Sequence, residues 1–150
     1  MGEYVWTKSK YKFFQSQWGI VIQLEAGWKI VSDIGDKGKY MEVTDCIYFQ
    51  PVLLPYPDSQ NLTDDELQYF CDGLKLISKY LYKLLQEDSY LIISLQSIQF
   101  SDCYIQIEGF KASAIQWASE TFDFPMPTIE IHFDRLKSQN GMYIFDFSSI

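Results

Sequence analysis

The sequence predicts an α+β fold: one domain over residues 1–150, with a mainly antiparallel sheet, a long central helix and a shorter second helix. The expected order is strands, helix, hairpin, helix, hairpin. Three observations carry this. Apolar and polar residues alternate in several short segments, the period of a half-buried strand. From Leu67 to Leu84 the apolar residues recur instead at spacings of three and four, the period of an amphipathic helix. Finally, 150 residues is the usual size of a single domain, and no internal repeat, low-complexity tract or linker interrupts them.

Taken in order, Trp18, Ile20, Ile22 and Leu24 alternate with Gln17, Gly19, Val21 and Gln23 in a strand from Phe13 to Leu24. Gly27 reads as a turn, with a short second strand from Trp28 to Ser32. The Asp and Gly content of Asp33–Gly38 marks another turn. Met41, Val43, Ile47 and Phe49 share one face of a third strand, interrupted by Asp45 and ended by Pro51. Pro55 and Pro57 hold the next loop extended. Thr63-Asp64-Asp65-Glu66 is a capping box, which opens a helix of about six turns. Tyr90–Phe100 and Cys103–Glu108 read as a hairpin around Ser101-Asp102. A second helix begins near Gly109, with Phe110, Ala114, Trp117, Ala118 and Thr121 on one face, and stops before Pro125. Ile129, Ile131 and Phe133 alternate in a last hairpin, whose Asn140-Gly141 turn leads to Tyr143, Phe145 and Phe147.

The hydrophobic fraction of 47% excludes general disorder. The 11 Tyr, 11 Phe and 4 Trp exceed what one core needs, so some rings are expected at the surface as binding anchors. Met1 to Trp6 lacks the basic and apolar regions of a signal peptide, and Trp6 stands where a myristoylation motif needs Ser or Thr. Uncharged runs such as Cys46–Tyr56 and Ser89–Ser101 are too short to span a bilayer. Cys46, Cys71 and Cys103, an odd and widely spaced set, read as reduced thiols, which places the chain in the cytoplasm.

Charge is unevenly distributed. The chain carries a formal net charge of −8, and Met41–Leu74 holds seven acids (Glu42, Asp45, Asp58, Asp64, Asp65, Glu66, Asp72) with no Lys, Arg or His. From Glu87 to Asp134, eight acids stand against Lys111 and Arg is absent. Such fields disfavour nucleic acid and favour basic partners. Catalytic signatures are missing: no phosphate loop, dinucleotide fingerprint, Gly-x-Ser-x-Gly or His-Glu-x-x-His occurs. Glu130, His132 and Asp134 share a strand face, where a metal site is conceivable, but such a site needs a fourth ligand and a shielded second shell that the sequence does not supply, and a polar solvated face is preferred. Cys103 with His132 resembles a nucleophile–base pair only in composition; Cys103 alternates with Ile105 and Ile107 as a core thiol would. Lys75, Lys79 and Lys83 form an i, i+4 ladder that reads as a solvated helix face. No cofactor and no metal are expected.

Tyr104-Ile105-Gln106-Ile107-Glu108-Gly109-Phe110, then Ala114, Trp117, Phe122-Asp123-Phe124-Pro125, Ile129–Asp134 and Tyr143–Phe147 carry a family likeness. Over residues 101–147, about a third of the chain, the sequence resembles small immunity proteins of bacterial polymorphic or contact-dependent toxin systems. The resemblance implies a stoichiometric inhibitor of a toxin domain, with no catalytic residue to transfer. An acidic inhibitor of a basic toxin would gain electrostatic steering. The expected partner-binding residues are Tyr56, Asp58, Asp64, Asp65, Glu66 and Tyr69, facing a basic protein and neither nucleic acid nor membrane. The competing reading is a small ligand-binding or enzymatic α+β domain with a ring-lined pocket; an adaptor with an exposed apolar patch is a third.

Overall fold

The computed structural model describes residues 3–15, 18–51, 59–101, 104–137 and 141–150. Its strands are β1 (Val5–Gln15), β2 (Trp18–Val31), β3 (Met41–Thr44), β4 (Ile47–Gln50), β5 (Tyr90–Phe100), β6 (Glu130–Asp134) and β7 (Met142–Asp146). The helices are α1 (Asp64–Leu76), α2 (Ser78–Leu81) and α3 (Glu108–Phe122). The architecture is α+β and its sheets are mostly antiparallel. Five strands form one sheet in the order β1-β2-β5-β4-β3, while β6 and β7 pair separately. The parallel exception is β4 with β5. A parallel pair needs a long crossover, and α1 and α2 lie within it.

Strand alternation divides the large sheet into two faces. On one, Ile20, Ile22, Leu24 and Ala26 of β2 and Ile93, Leu95 and Ile98 of β5 are buried against α1 and α3. Phe70, Leu74 and Ile77 enter this core from α1 and its end, Phe110, Ala114 and Trp117 from α3, and Tyr143 from β7. The two helices approach closely at Gly73, where an added Cβ would stand 2.4 Å from the Lys111 carbonyl oxygen. Burial pushes the Cys71 thiol up to about 12, with Asp72 adding to the shift, so it stays protonated in the core at neutral pH.

The β1 edge meets α3 through a polar seam. Trp117 Nε1 donates to Thr7 Oγ1 (2.8 Å), the Thr7 and Thr121 hydroxyls are 2.8 Å apart, and the Ser9 hydroxyl donates to Glu120 (2.6 Å). Gln116 Nε2 donates to the Lys10 carbonyl at 2.7 Å. The polar side chains of this seam are therefore paired, as burial requires, whereas Trp18 Nε1, buried on the same face, has no hydrogen-bond partner among the described residues.

Several expectations are corrected. Gly27 is not a turn: β2 runs through it, and Gly27 faces Trp6 of β1, whose ring lies where a Cβ would be. The strand expected from Met41 to Phe49 is the hairpin β3–β4, turned at Asp45-Cys46 with Cys46 in the left-handed region (φ 68). The six-turn helix ends as α1 at Leu76; Ile77 leaves helical geometry (φ −106, ψ 19), and α2 and a 3-10 turn at Tyr82–Leu84 follow. Among the described residues, β5 is the one strand between α2 and α3, where a hairpin is expected. Tyr104 to Ile107 forms no strand; its Ser101-Asp102 turn lies partly, and Cys103 wholly, outside the described residues. Instead, Gln106 acts as a pairing partner by side chain, donating to the Tyr143 carbonyl (2.8 Å) and accepting from the Tyr143 amide (2.7 Å). The β6–β7 hairpin forms, its Asn140 lying outside the described residues.

Candidate functional site

The acids expected to meet a partner begin at α1. Thr63 Oγ1 accepts from the Glu66 amide (3.2 Å), and Glu66 Oε1 accepts from the Thr63 amide (2.8 Å). Glu66 is thus engaged in the cap, whereas Asp64 and Asp65 in the same turn are exposed, complementing the helix dipole. Tyr69 is half-buried against the core, with the Lys111 ammonium 5.8 Å from its ring centre. Tyr56, Asp58, Pro55 and Pro57 lie outside the described residues.

The acidic run from Met41 to Leu74 does not form one patch. Asp45 turns beside the start of β5, where Leu91 donates to the Cys46 carbonyl. Gln60, shortly before α1, donates to the Ile98 carbonyl near the other end of the same strand. At about 3.3 Å per residue, Leu91 and Ile98 stand roughly 20 Å apart, so Asp45 and the Asp64-Asp65 pair occupy opposite ends of the sheet.

Glu130 and His132 are exposed on β6, and Asp134 accepts from the Leu136 amide (2.9 Å) to close the following turn. Among the described residues no three His, Cys, Asp or Glu side chains gather as metal ligands would. Lys79 and Lys83 flank the Tyr80 ring at 5.2 and 5.6 Å, and that ring stacks on Phe124. Gly35 and Gly38 donate to Asp33 and Asp36 in local turns (2.9 Å each).

Among the described residues, no α-helix packs on the second face of the large sheet. Toward the start of β5 it is closed by a ring cluster: Ile34, Tyr48 and Ile92 are buried beneath Tyr4, Tyr40 and Tyr90. The Tyr4 hydroxyl donates to Gln50 Oε1 (2.5 Å), and Lys29 sits 4.6 Å from the Tyr4 ring centre. Burial, with Tyr40 nearby, pushes Tyr4 up to about 12.

Toward the other end this face opens into a polar cleft of about 480 Å³. Strand register explains its shape. Lys8, Glu25 and Ser97 lie side by side across β1, β2 and β5, and Lys10, Gln23 and Gln99 form the next row. Ser9 and Leu24, between the rows, turn their side chains to the covered face, leaving backbone as the cleft floor. Rows two residues apart are separated by roughly 6.8 Å, and three strands span about 10 Å. Apart from Leu24 the lining residues are polar or charged, their aliphatic stems adding apolar surface, and none carries a ring.

No known protein family, curated protein or solved structure matches this chain.

Along β1 the cleft opens onto a row of alternate residues: Trp6, Lys8, Lys10, Lys12 and Phe14. Trp6 and Phe14 are 38% and 67% exposed, each lying over a glycine of β2, Gly27 and Gly19. Sequence reading missed this surface, although its signal was there: Trp, Lys, Lys, Lys and Phe at period two. No described helix is long and apolar enough to cross a membrane.

Proposed function

We propose that the chain is an acidic protein-binding module that neutralises a basic partner, a cognate bacterial toxin domain, by stoichiometric binding in the cytoplasm. It acts by occupancy rather than turnover. The observation that carries this reading is the exposed Asp64-Asp65 pair on the first turn of α1, within a run devoid of cations. The capping box fixes that turn, so little conformational freedom is lost when a partner docks there. The partial likeness to small immunity proteins points the same way, and Tyr69 supplies a ring beside the acids.

The test mixes the purified chain with the toxin domain encoded beside it and follows binding by calorimetry and toxicity in cells. A one-to-one complex and loss of toxicity are expected. Asp64→Lys/Asp65→Lys should weaken binding by about tenfold or more and flatten its salt dependence. Unchanged affinity and protection in that variant would move the interface elsewhere, and a neighbouring product neither bound nor silenced would overturn the reading.

A further inference from the structure

The cleft on the helix-free face has a chemistry opposite to that of the α1 acids. Lys8 and Lys10 stand at its β1 end on consecutive rows. Among the described residues neither ammonium, nor that of Lys12, reaches a carboxylate, although Glu25 lies directly across the ladder from Lys8. Glu25 instead accepts from Gln96 Nε2 (3.3 Å). Deeper in, Gln23 and Ser97 present an amide and a hydroxyl, groups that pair with peptide N–H and C=O. Gln116 already occupies the Lys10 carbonyl at the β1 edge, so a partner strand cannot simply extend the sheet there.

From this arrangement we propose that the cleft is a second docking site, which takes an acidic, extended segment of a protein partner. One carboxylate enters between Lys8 and Lys10, and the adjoining peptide groups meet Gln23 and Ser97. The exposed rings of Trp6 and Phe14 offer apolar contacts at either end of the lysine row. Charge complementarity selects the occupant. Three unpaired ammonium groups attract a carboxylate, while Glu25 repels a second negative charge deeper in. The net charge of −8 opposes every polyanion, so it penalises the many phosphates of a nucleic-acid backbone more than a segment that brings a single carboxylate. The inference goes beyond the inhibitor reading and stands without it, because the surface and the sign of the partner's charge both differ.

Fluorescence anisotropy with the full chain tests it. The probe is a labelled peptide of about nine residues, long enough to cross the cleft and reach a flanking ring, with one central glutamate among serines. The glutamate peptide should bind, and more weakly as salt rises; its glutamine counterpart should bind at least about tenfold more weakly. Lys8→Gln/Lys10→Gln should lower affinity by about tenfold, and Glu25→Gln should raise it a few-fold. Asp64→Lys/Asp65→Lys should leave it unchanged, which separates this site from the proposed toxin surface. All of these side chains lie at the surface, and an unaltered thermal melt would show that each variant folds. Equal binding of the glutamine peptide, insensitivity to the lysine substitutions, or tighter binding of an oligouridylate of equal length would overturn the proposal. So would a dimer in gel filtration that Asp64→Lys/Asp65→Lys dissolves, since the chain's own acids would then be the occupant.

Discussion

The two faces of the five-stranded sheet are made by the same strands and differ by the alternation of their residues, whose parity on β5 switches at the bulge opposite Glu25 and Ala26. On the covered face, Ile22, Leu24, Ile93 and Phe49 lie at 0–4% exposure beneath two helices. On the open face, the neighbours Gln23, Lys10 and Gln99 meet solvent around a cleft. The covered face carries the main core, and the open face is buried only where the ring cluster of Ile34, Tyr48 and Ile92 closes one end. One alternating pattern therefore separates the packed side chains from the exposed ones, residue by residue.

Substitutions sharpen that contrast. The largest effect is expected at Leu74, fully buried where α1 packs on the sheet. Leu74→Ala should cost about 2–5 kcal/mol in chemical denaturation, the usual range for a core cavity. Gln23→Ala on the open face should stay within about 0.5 kcal/mol. Similar losses at both would mean the faces are not energetically distinct.

Next come two glycines. Gly73→Ala drives a methyl into the Lys111 backbone between α1 and α3, where neither helix yields easily, and should cost about 1–3 kcal/mol. Gly27→Ala meets the Trp6 ring first, at 2.6 Å, and that ring can swing toward solvent, while alanine regains about 0.5–1 kcal/mol of strand entropy. It should be close to neutral, and a large loss there would show that the ring is a structural lid.

The smallest effect concerns pH. Tyr11 on the covered face and Tyr4 on the open one are both pushed from the ordinary 10 up to about 12, chiefly by burial. An unfolded tyrosine ionises first, so their contribution is intact below pH 10 and is lost as pH rises toward about 12. Melting temperature should fall across that window, and Tyr11→Phe should soften the fall. An identical alkaline profile in Tyr11→Phe would assign the loss to other groups.

The α1 start was legible because its signal is local: Thr63 and Glu66 need only each other. The ends of elements set by distant partners were not. Gly27 reads as a turn until the Trp6 ring across the ladder is known to fill its missing side chain. The stretch from Val5 to Lys12 does not read as a strand because its covered face carries Thr7 and Ser9, polar residues that α3 satisfies by hydrogen bonds. Ile105 and Ile107 alternate like a strand, yet Gln106 replaces the ladder by its side chain and the backbone bends into α3. Of the expected site, Asp64 and Asp65 were legible as a helix-start pair; the lysine row was not, since only the β1–β2–β5 register sets it beside Gln23 and Ser97.

The pairing of Ile22 with Phe100 has a kinetic consequence. During synthesis the β1–β2 hairpin leaves the ribosome long before β5 or either of its covering helices exists, with one side apolar and waiting. Contacts this distant in sequence form slowly. In that interval the lysines along the outer strand repel neighbouring copies and discourage edge-to-edge pairing. Those same lysines would thus guard the nascent chain against aggregation before any mature surface is in place.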